Sequence, residues 1–247
     1  MGLFDFFKKD KSKGEQTKAA SAAAKWAEAA GNKRAQNYDR QEALHELAAM
    51  GTPEAAEALL KRFTFNTDPS ITDQEEKELA FQGVLKAGVD AIPVVRAFAA
   101  KAESLAWPMK IMKELMSEEE LVDELIDWLS KWDTEYAKFI DPKLQILVAL
   151  EDFRSPKIRA AVEPFLEDVN DEARYNAAST VLVQNDAESV PALVKLYVDE
   201  ESIRIKNKIA DGFASRGWLV PDDSRDAMRK ALTPEYTIDG DGRLKKR

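Results

Sequence analysis

The chain has 247 residues, and its 45 acidic and 36 basic side chains give a formal net charge of −9. It contains no cysteine and one histidine, which excludes disulfides, thiolate nucleophiles, cysteine metal sites and any site built from two histidines. No run approaches the roughly 18 apolar residues that a membrane-spanning helix needs, and no signal peptide is recognisable. We therefore expect a cytoplasmic chain without a cofactor or a metal, folded as one elongated domain or two compact ones.

Residues 1–18 read as a basic tail that contains a short amphipathic segment. Four large apolar side chains of this segment share one helical arc, and two lysines lie opposite them. The segment resembles short membrane-active peptides that begin Gly-Leu-Phe-Asp, which implies reversible contact with the anionic inner face of a membrane. Docking to a protein partner or to the chain itself is an equal alternative. The candidate membrane-contact residues are Leu3, Phe4, Phe6, Phe7, Lys8 and Lys9.

Residues 19–36 are rich in alanine and predict a helix or cap, and residues 37–234 carry a repeated spacing. A basic residue is followed three, four and seven positions later by core-type side chains, which places them on one helical stripe. Proline takes the basic position once. The anchor residues are Arg40, Lys77, Pro108, Lys143, Arg174 and Lys206.

A turn signal and a second apolar-striped segment follow each anchor helix, and sustained two-residue alternation is missing. The pattern predicts an all-α body of six helical hairpins. The second helices are expected at 53–63, 90–101, 118–131, 156–167, 187–198 and 222–232. Residues 235–247 read as a tail or a small hairpin around Asp239-Gly240-Asp241-Gly242.

The body resembles HEAT repeats, in particular the short bacterial type first described in phycobilisome lyases. The resemblance is carried by DEARYNAA at 171–178, DAESVPAL at 186–193 and DAIPVV at 90–95. It implies a right-handed α-solenoid of about six hairpins, with first helices on the convex face and second helices on the concave face. It also implies that the recurring cations form a structural ladder with acids such as Asp141 and Asp171.

The densest acidic stretch lies on the predicted helix 118–131. Glu120, Glu124 and Asp127 share one face of this helix, and on a concave surface they would attract a basic protein or peptide. A solvated face without a partner is the alternative, and for the tryptophan it is core packing. The candidate partner-binding residues are Glu119, Glu120, Asp123, Glu124, Asp127 and Trp128.

The resulting functional hypothesis is a non-catalytic scaffold or adaptor that binds a protein or peptide. Duplex nucleic acid is not expected as a partner, because residues 35–234 carry 24 basic and 38 acidic side chains. HEAT-like hydroxylases need several His-Glu pairs, and this chain has only His45-Glu46. A chaperone of the chromophore-lyase type, which assists another enzyme, is the alternative function, and the sequence leaves the oligomeric state open.

Overall fold

The computed structural model describes residues 18–247. Within this range the chain is all-α, with thirteen α-helices joined by short turns and one small two-stranded hairpin. None of the helices in this range is long and apolar enough to cross a membrane. The chain divides into two compact units, Met1–Glu118 and Glu119–Arg247, hereafter unit 1 and unit 2.

Unit 1 contains the first six helices. They are α1 (residues 18–30), α2 (Asn37–Met50), α3 (Pro53–Leu60), α4 (Ser70–Lys86), α5 (Ile92–Ala99) and α6 (Ala106–Leu115). Helix α2 packs on α4, α3 on α5, and α4 on α6. Within unit 1, helices α2, α3 and α4 therefore each contact the helix two places further along the chain.

Unit 2 repeats this alternation and ends in the hairpin. Its helices are α7 (Glu118–Leu129), α8 (Asp141–Leu150), α9 (Pro156–Val162), α10 (Asp171–Gln184), α11 (Val190–Asp199), α12 (Ile203–Arg216) and α13 (Arg225–Ala231). Helix α8 packs on α10, α10 on α12, and α11 on α13. Strands β1 (Tyr236–Ile238) and β2 (Leu244–Lys246) pair antiparallel, and β2 contacts α12.

The helix ends carry the expected local chemistry. The side chains of Thr52 and Ser155 accept hydrogen bonds from the first turns of α3 and α9, and a proline follows each of them at the first helical position. Helices α2, α10 and α12 end at Gly51, Asn185 and Gly217, which adopt the left-handed conformation that terminates a helix. Local sequence therefore fixes where these helices begin and end.

A buried ion network joins three segments of unit 1. The guanidinium of Arg40 in α2 binds the carboxylate of Glu76 in α4 through Nε at 2.7 Å and Nη2 at 3.0 Å. Arg62, in a 3-10 turn after α3, donates from Nε to the same carboxylate at 2.8 Å and from Nη2 to Asp73 at 2.7 Å. Arg40, Arg62 and Glu76 are each at most 1% exposed. Glu76 therefore contacts both buried arginines, and Asp73 adds a second carboxylate to Arg62.

The recurring cations of unit 2 contact their partners at a regular separation along the chain. Lys143 of α8 binds Asp168, 25 residues later, at 2.6 Å, and Arg174 of α10 binds Glu200, 26 residues later, at 2.7 Å. Lys206 of α12 donates to the carbonyl of Ala231, again 25 residues later. Each cation thus reaches the end of the second segment of its own hairpin. The recurring cations are structural in this unit.

The partners of these cations differ from the acids that the sequence suggested. Asp141 and Asp171 are the first residues of α8 and α10, and the ion pairs of Lys143 and Arg174 are instead with Asp168 and Glu200. Because Asp168 and Glu200 precede the next first helix, each also accepts backbone N–H groups there, from Asn170 and from Ser202 respectively. An acid in this position therefore both neutralises a cation and accepts a hydrogen bond from the backbone of the following turn.

Candidate interaction surface

The structure separates the candidate residues of α7 into exposed and buried groups. Glu119, Glu120, Asp123 and Asp127 are exposed, whereas Glu124 is 6% exposed. Trp128 is also 6% exposed, so its packing alternative is the correct one. The expectation of a single acidic face holding Glu120, Glu124 and Asp127 is therefore wrong for Glu124.

The width of the apolar stripe on α7 explains this burial. The buried apolar residues are Leu121, Val122, Leu125, Trp128 and Leu129. Glu124 lies three positions after Leu121 and four before Trp128, which is the spacing of neighbours on one side of a helix. Position 124 is thus enclosed by the stripe, while positions 120 and 127 lie at its margins.

Part of the remaining acidic strip is compensated by lysines. In unit 2, Lys157 at the start of α9 binds Asp123 at 2.7 Å and lies 3.9 Å from Glu119. Asp127 pairs with Lys131 one turn further along, at 2.7 Å. Lys157 donates a hydrogen bond to Asp123, which raises the pKa of Lys157 and favours its charged form. The α7 strip is consequently less negative than its sequence implied.

A larger acidic groove lies elsewhere in unit 2, between α9 with its 3-10 extension Glu163–Glu167 and α11. Its volume is about 870 Å³, and six acidic and three basic residues line it, a net charge of −3. We call it the second-helix groove, because the predicted second helices form its walls. Its acidic residues are Glu163, Glu167, Asp168, Asp199, Glu200 and Glu201.

The acids of the second-helix groove differ in whether they already pair with a basic side chain of the same unit. Asp168 and Glu200 are buried and compensate Lys143 and Arg174. Glu167 pairs with Lys195 across the groove at 2.5 Å. Asp199 and Glu201 are exposed, and neither forms an ion pair within residues 18–247. These two carboxylates are the negative charges that the groove presents to an incoming ligand.

Apolar residues also line the groove. Ala160, Pro164 and Leu166 come from the α9 side, and Ala192 and Leu196 come from α11. A smaller groove of about 340 Å³ lies between α11 and α13, and Lys195 and Asp199 line both grooves. The second-helix groove therefore combines acidic and apolar residues.

The perturbed groups of this groove favour their charged forms. Burial raises the pKa of Glu200, but the hydrogen bonds from Arg174 and from backbone N–H groups outweigh it, so the pKa is lowered. The hydrogen bond that Arg174 donates to Glu200 raises the pKa of Arg174, and the one that Lys195 donates to Glu167 raises the pKa of Lys195. A side chain poised for proton transfer near pH 7 would need the opposite shifts. The arrangement suits electrostatic binding.

Arg159 lines the groove and lies close to three acids. Its guanidinium lies within 3.2 Å of Glu163, 2.8 Å of Asp186 and 2.7 Å of Glu188. Within residues 18–247 no group of three or more His, Asp or Glu side chains is placed to hold a metal ion. The candidate membrane-contact residues of segment 2–9 lie outside the described residues.

The sequence contains a signal for this groove, but the signal is a periodic pair of acids and not a dense acidic run. Glu167-Asp168 and Asp199-Glu200 are adjacent acidic pairs that recur at the repeat step, one pair at the end of each second segment. In each pair the second acid is buried and the first is exposed. Acids that recur at the repeat spacing, rather than acids that are dense in one segment, indicate the second-helix groove.

Comparison with known proteins gives no further assignment. No protein-family model matches the chain, and no curated protein is similar to it.

Proposed function

We propose that the chain is a non-catalytic scaffold or adaptor of the HEAT type, which binds a basic segment of a protein partner in the second-helix groove. The observation that carries the proposal is the groove of net charge −3 between α9 and α11, with Asp199 and Glu201 exposed at its rim. The alternation of helices within each unit and the regular cation pairs of unit 2 support a solenoid arrangement.

The chemistry of the groove selects the class of partner. Exposed carboxylates accelerate the approach of a positively charged segment and fix its register, whereas they repel an acidic one. The apolar lining favours a segment that also carries leucine or similar side chains, because burying them supplies the affinity that exposed charges alone do not. We therefore expect an amphipathic basic peptide rather than a uniformly charged one.

The test measures binding of a fluorescently labelled peptide in which lysine and leucine alternate, by fluorescence anisotropy with the full chain. The triple variant E167K/D199K/E201K reverses the rim of the groove and should weaken binding by about tenfold or more, since two to three interactions of roughly 1 kcal/mol each are replaced by repulsion. Binding of the wild-type chain should also fall as salt rises, because exposed charges are screened.

Two matched variants separate the groove from general charge. E42K/E46K/E57K reverses three exposed acids of unit 1 and changes the net charge by the same amount, so it should leave binding within about twofold. D123K/D127K reverses the exposed acids of the α7 strip. Equal losses in all three variants, or a larger loss in D123K/D127K than in the groove variant, would sink the assignment to the second-helix groove.

We further propose that segment 2–9 brings the scaffold to an anionic membrane surface. Burying four large apolar side chains gains roughly 6–12 kcal/mol before ordering is counted, and ordering the segment opposes most of this gain. Vesicles of phosphatidylglycerol should therefore sediment the chain reversibly, and F4S/F7S should abolish co-sedimentation. F139S, which removes an aromatic that is 57% exposed in unit 2, is the control. Equal sedimentation of both variants would favour protein docking instead.

A further inference from the structure

Unit 2 exposes large apolar side chains at positions that recur with its repeat. Phe139 and Val169 each lie two residues before a first helix, α8 and α10 respectively, and Ile203 is the first residue of α12. All three side chains are more than half exposed. Single exposed apolar side chains are common on protein surfaces, whereas a set that recurs along one surface indicates a contact. We call Phe139, Val169 and Ile203 the apolar row.

Hydrogen bonds hold together the three connections that carry the apolar row. The backbone N–H of Val169 donates to the carbonyl of Thr134, in the connection before α8, at 2.9 Å. Arg174 donates to the carbonyl of Val169 at 3.3 Å and also binds the carboxylate of Glu200 at 2.7 Å. Glu200 in turn accepts the N–H of Ser202 at 2.9 Å, just before α12. The connections before α8, α10 and α12 therefore form one edge of unit 2.

The apolar row adjoins the second-helix groove. Asp168, Glu200 and Glu201 line the groove. Val169 is the residue after Asp168, and Ile203 comes two residues after Glu201. The groove therefore reaches the edge of unit 2 that carries the row, and a segment bound in the groove can continue onto the row.

The edge that carries the apolar row is also acidic. Five exposed carboxylates lie in the three connections or at the first residue of the helix that follows, and none of them forms an ion pair within residues 18–247. One exposed lysine, Lys138, lies among them. Opposite charge favours a basic segment on this edge and disfavours an acidic one. The five carboxylates are those of Asp133, Glu135, Asp141, Asp171 and Glu201.

The spacing of the first helices sets the spacing of apolar residues in such a segment. Helices that pack side by side lie about 8–10 Å apart, and α8 packs on α10 and α10 on α12. A segment in the polyproline II conformation advances about 9 Å in three residues, which complete one turn and bring every third side chain to the same side. An extended segment therefore matches the row when an apolar residue recurs at every third position.

We propose that the apolar row binds an extended basic segment of a partner protein in which an apolar residue recurs at every third position. The apolar residues would contact Phe139, Val169 and Ile203, and the basic residues between them would face the exposed carboxylates of the edge. The proposal rests on the proposed function, because it continues the segment bound in the second-helix groove onto the edge of unit 2. It adds the contacts that select one basic segment over another.

The test compares two fluorescently labelled peptides of identical composition by anisotropy with the full chain. The spaced peptide has leucine at every third position and lysine between, whereas the clustered peptide has the same leucines side by side. The wild-type chain should bind the spaced peptide at least about fivefold more tightly. V169S/I203S should weaken binding of the spaced peptide by about tenfold, because two apolar contacts are lost, and should bring the two peptides to similar affinity.

A matched variant controls for the loss of exposed apolar side chains in general. V148S/L219S replaces two other aliphatic side chains of unit 2, which are about half exposed and lie outside the row. It should leave the affinity for the spaced peptide unchanged. Circular dichroism melts establish that each variant folds, which we expect because the replaced side chains of the row are exposed.

The groove variant E167K/D199K/E201K separates this proposal from the function on which it rests. Loss of binding in the groove variant, with wild-type affinity in V169S/I203S, would overturn the row and leave the groove as the site. Wild-type affinity in both would overturn the function as well, whereas a loss in V169S/I203S alone would support the row and refute the groove. An equal loss in V148S/L219S, or equal affinity of the wild-type chain for both peptides, would also overturn the row. Sedimentation that shows wild-type dimers and V169S/I203S monomers would assign the row to a second copy of the chain instead.

Discussion

Units 1 and 2 both pair buried or half-buried basic side chains with acids, but they arrange these pairs differently. In unit 1, Arg40 and Arg62 share Glu76, so one carboxylate joins α2, α4 and the turn after α3. In unit 2, Lys143 and Arg174 each have an acid of their own within the same hairpin. The stability of unit 1 should therefore depend strongly on Glu76. In unit 2, the loss of one ion pair should destabilise one hairpin and leave the pair of the next hairpin in place.

Removing the shared acid of unit 1 should have the largest effect. E76Q leaves Arg40 without a carboxylate and Arg62 with Asp73 alone, and both arginines are at most 1% exposed. We expect the opening free energy of unit 1 to fall by about 5 kcal/mol, the upper end for breaking a buried pair. Hydrogen exchange followed by mass spectrometry, with peptides from α2 to α4, measures this change. Exchange of peptides from α8 to α12 in the same sample reports unit 2. A loss below about 1 kcal/mol would contradict the conclusion that unit 1 depends on the carboxylate of Glu76.

Removing one separate pair of unit 2 should cost less and should be repairable. K143M leaves Asp168, which is 1% exposed, without its cation, and the exchange of α8 and α10 should report a loss of about 3 kcal/mol. The double variant K143M/D168N removes the stranded charge while keeping the oxygen that accepts from Asn170 N–H, so it should recover at least half of that loss.

Lowering the pH should have the smallest effect on stability, and in unit 1 this effect should depend on Asp73. Burial raises the pKa of Asp73, but hydrogen bonds from Lys77 and Arg62 outweigh it and lower the pKa to about 2. Because the folded-state pKa lies below the ordinary value of about 3.9, the contribution of Asp73 to stability is present above pH 4 and is lost as pH falls towards 2. Urea midpoints of wild type and D73N should therefore converge in that range. A constant difference between them would contradict the shift.

The helices could be predicted because their determinants are local. The spacing of Lys143, Ile146, Leu147 and Leu150 defines one helical stripe, and the three apolar residues of that set are buried. Thr52 and Ser155, each followed by proline, marked two helix starts. The interaction surface was harder to predict, because α7 attracted attention through its density of acids while the exposed carboxylates of the second-helix groove are separated by a whole repeat.

The sequence by itself determined an all-α chain of alternating helices with recurring cations, and it excluded the chemistry of cysteine and paired histidines. Only the tertiary structure decided that Glu124 and Trp128 are buried, and that Asp168 and Glu200 rather than Asp141 and Asp171 receive the cations. The physical reason is the distance along the chain over which each interaction acts. Helical periodicity follows from the backbone geometry of neighbouring residues, whereas an ion pair across 25 residues depends on how whole helices pack.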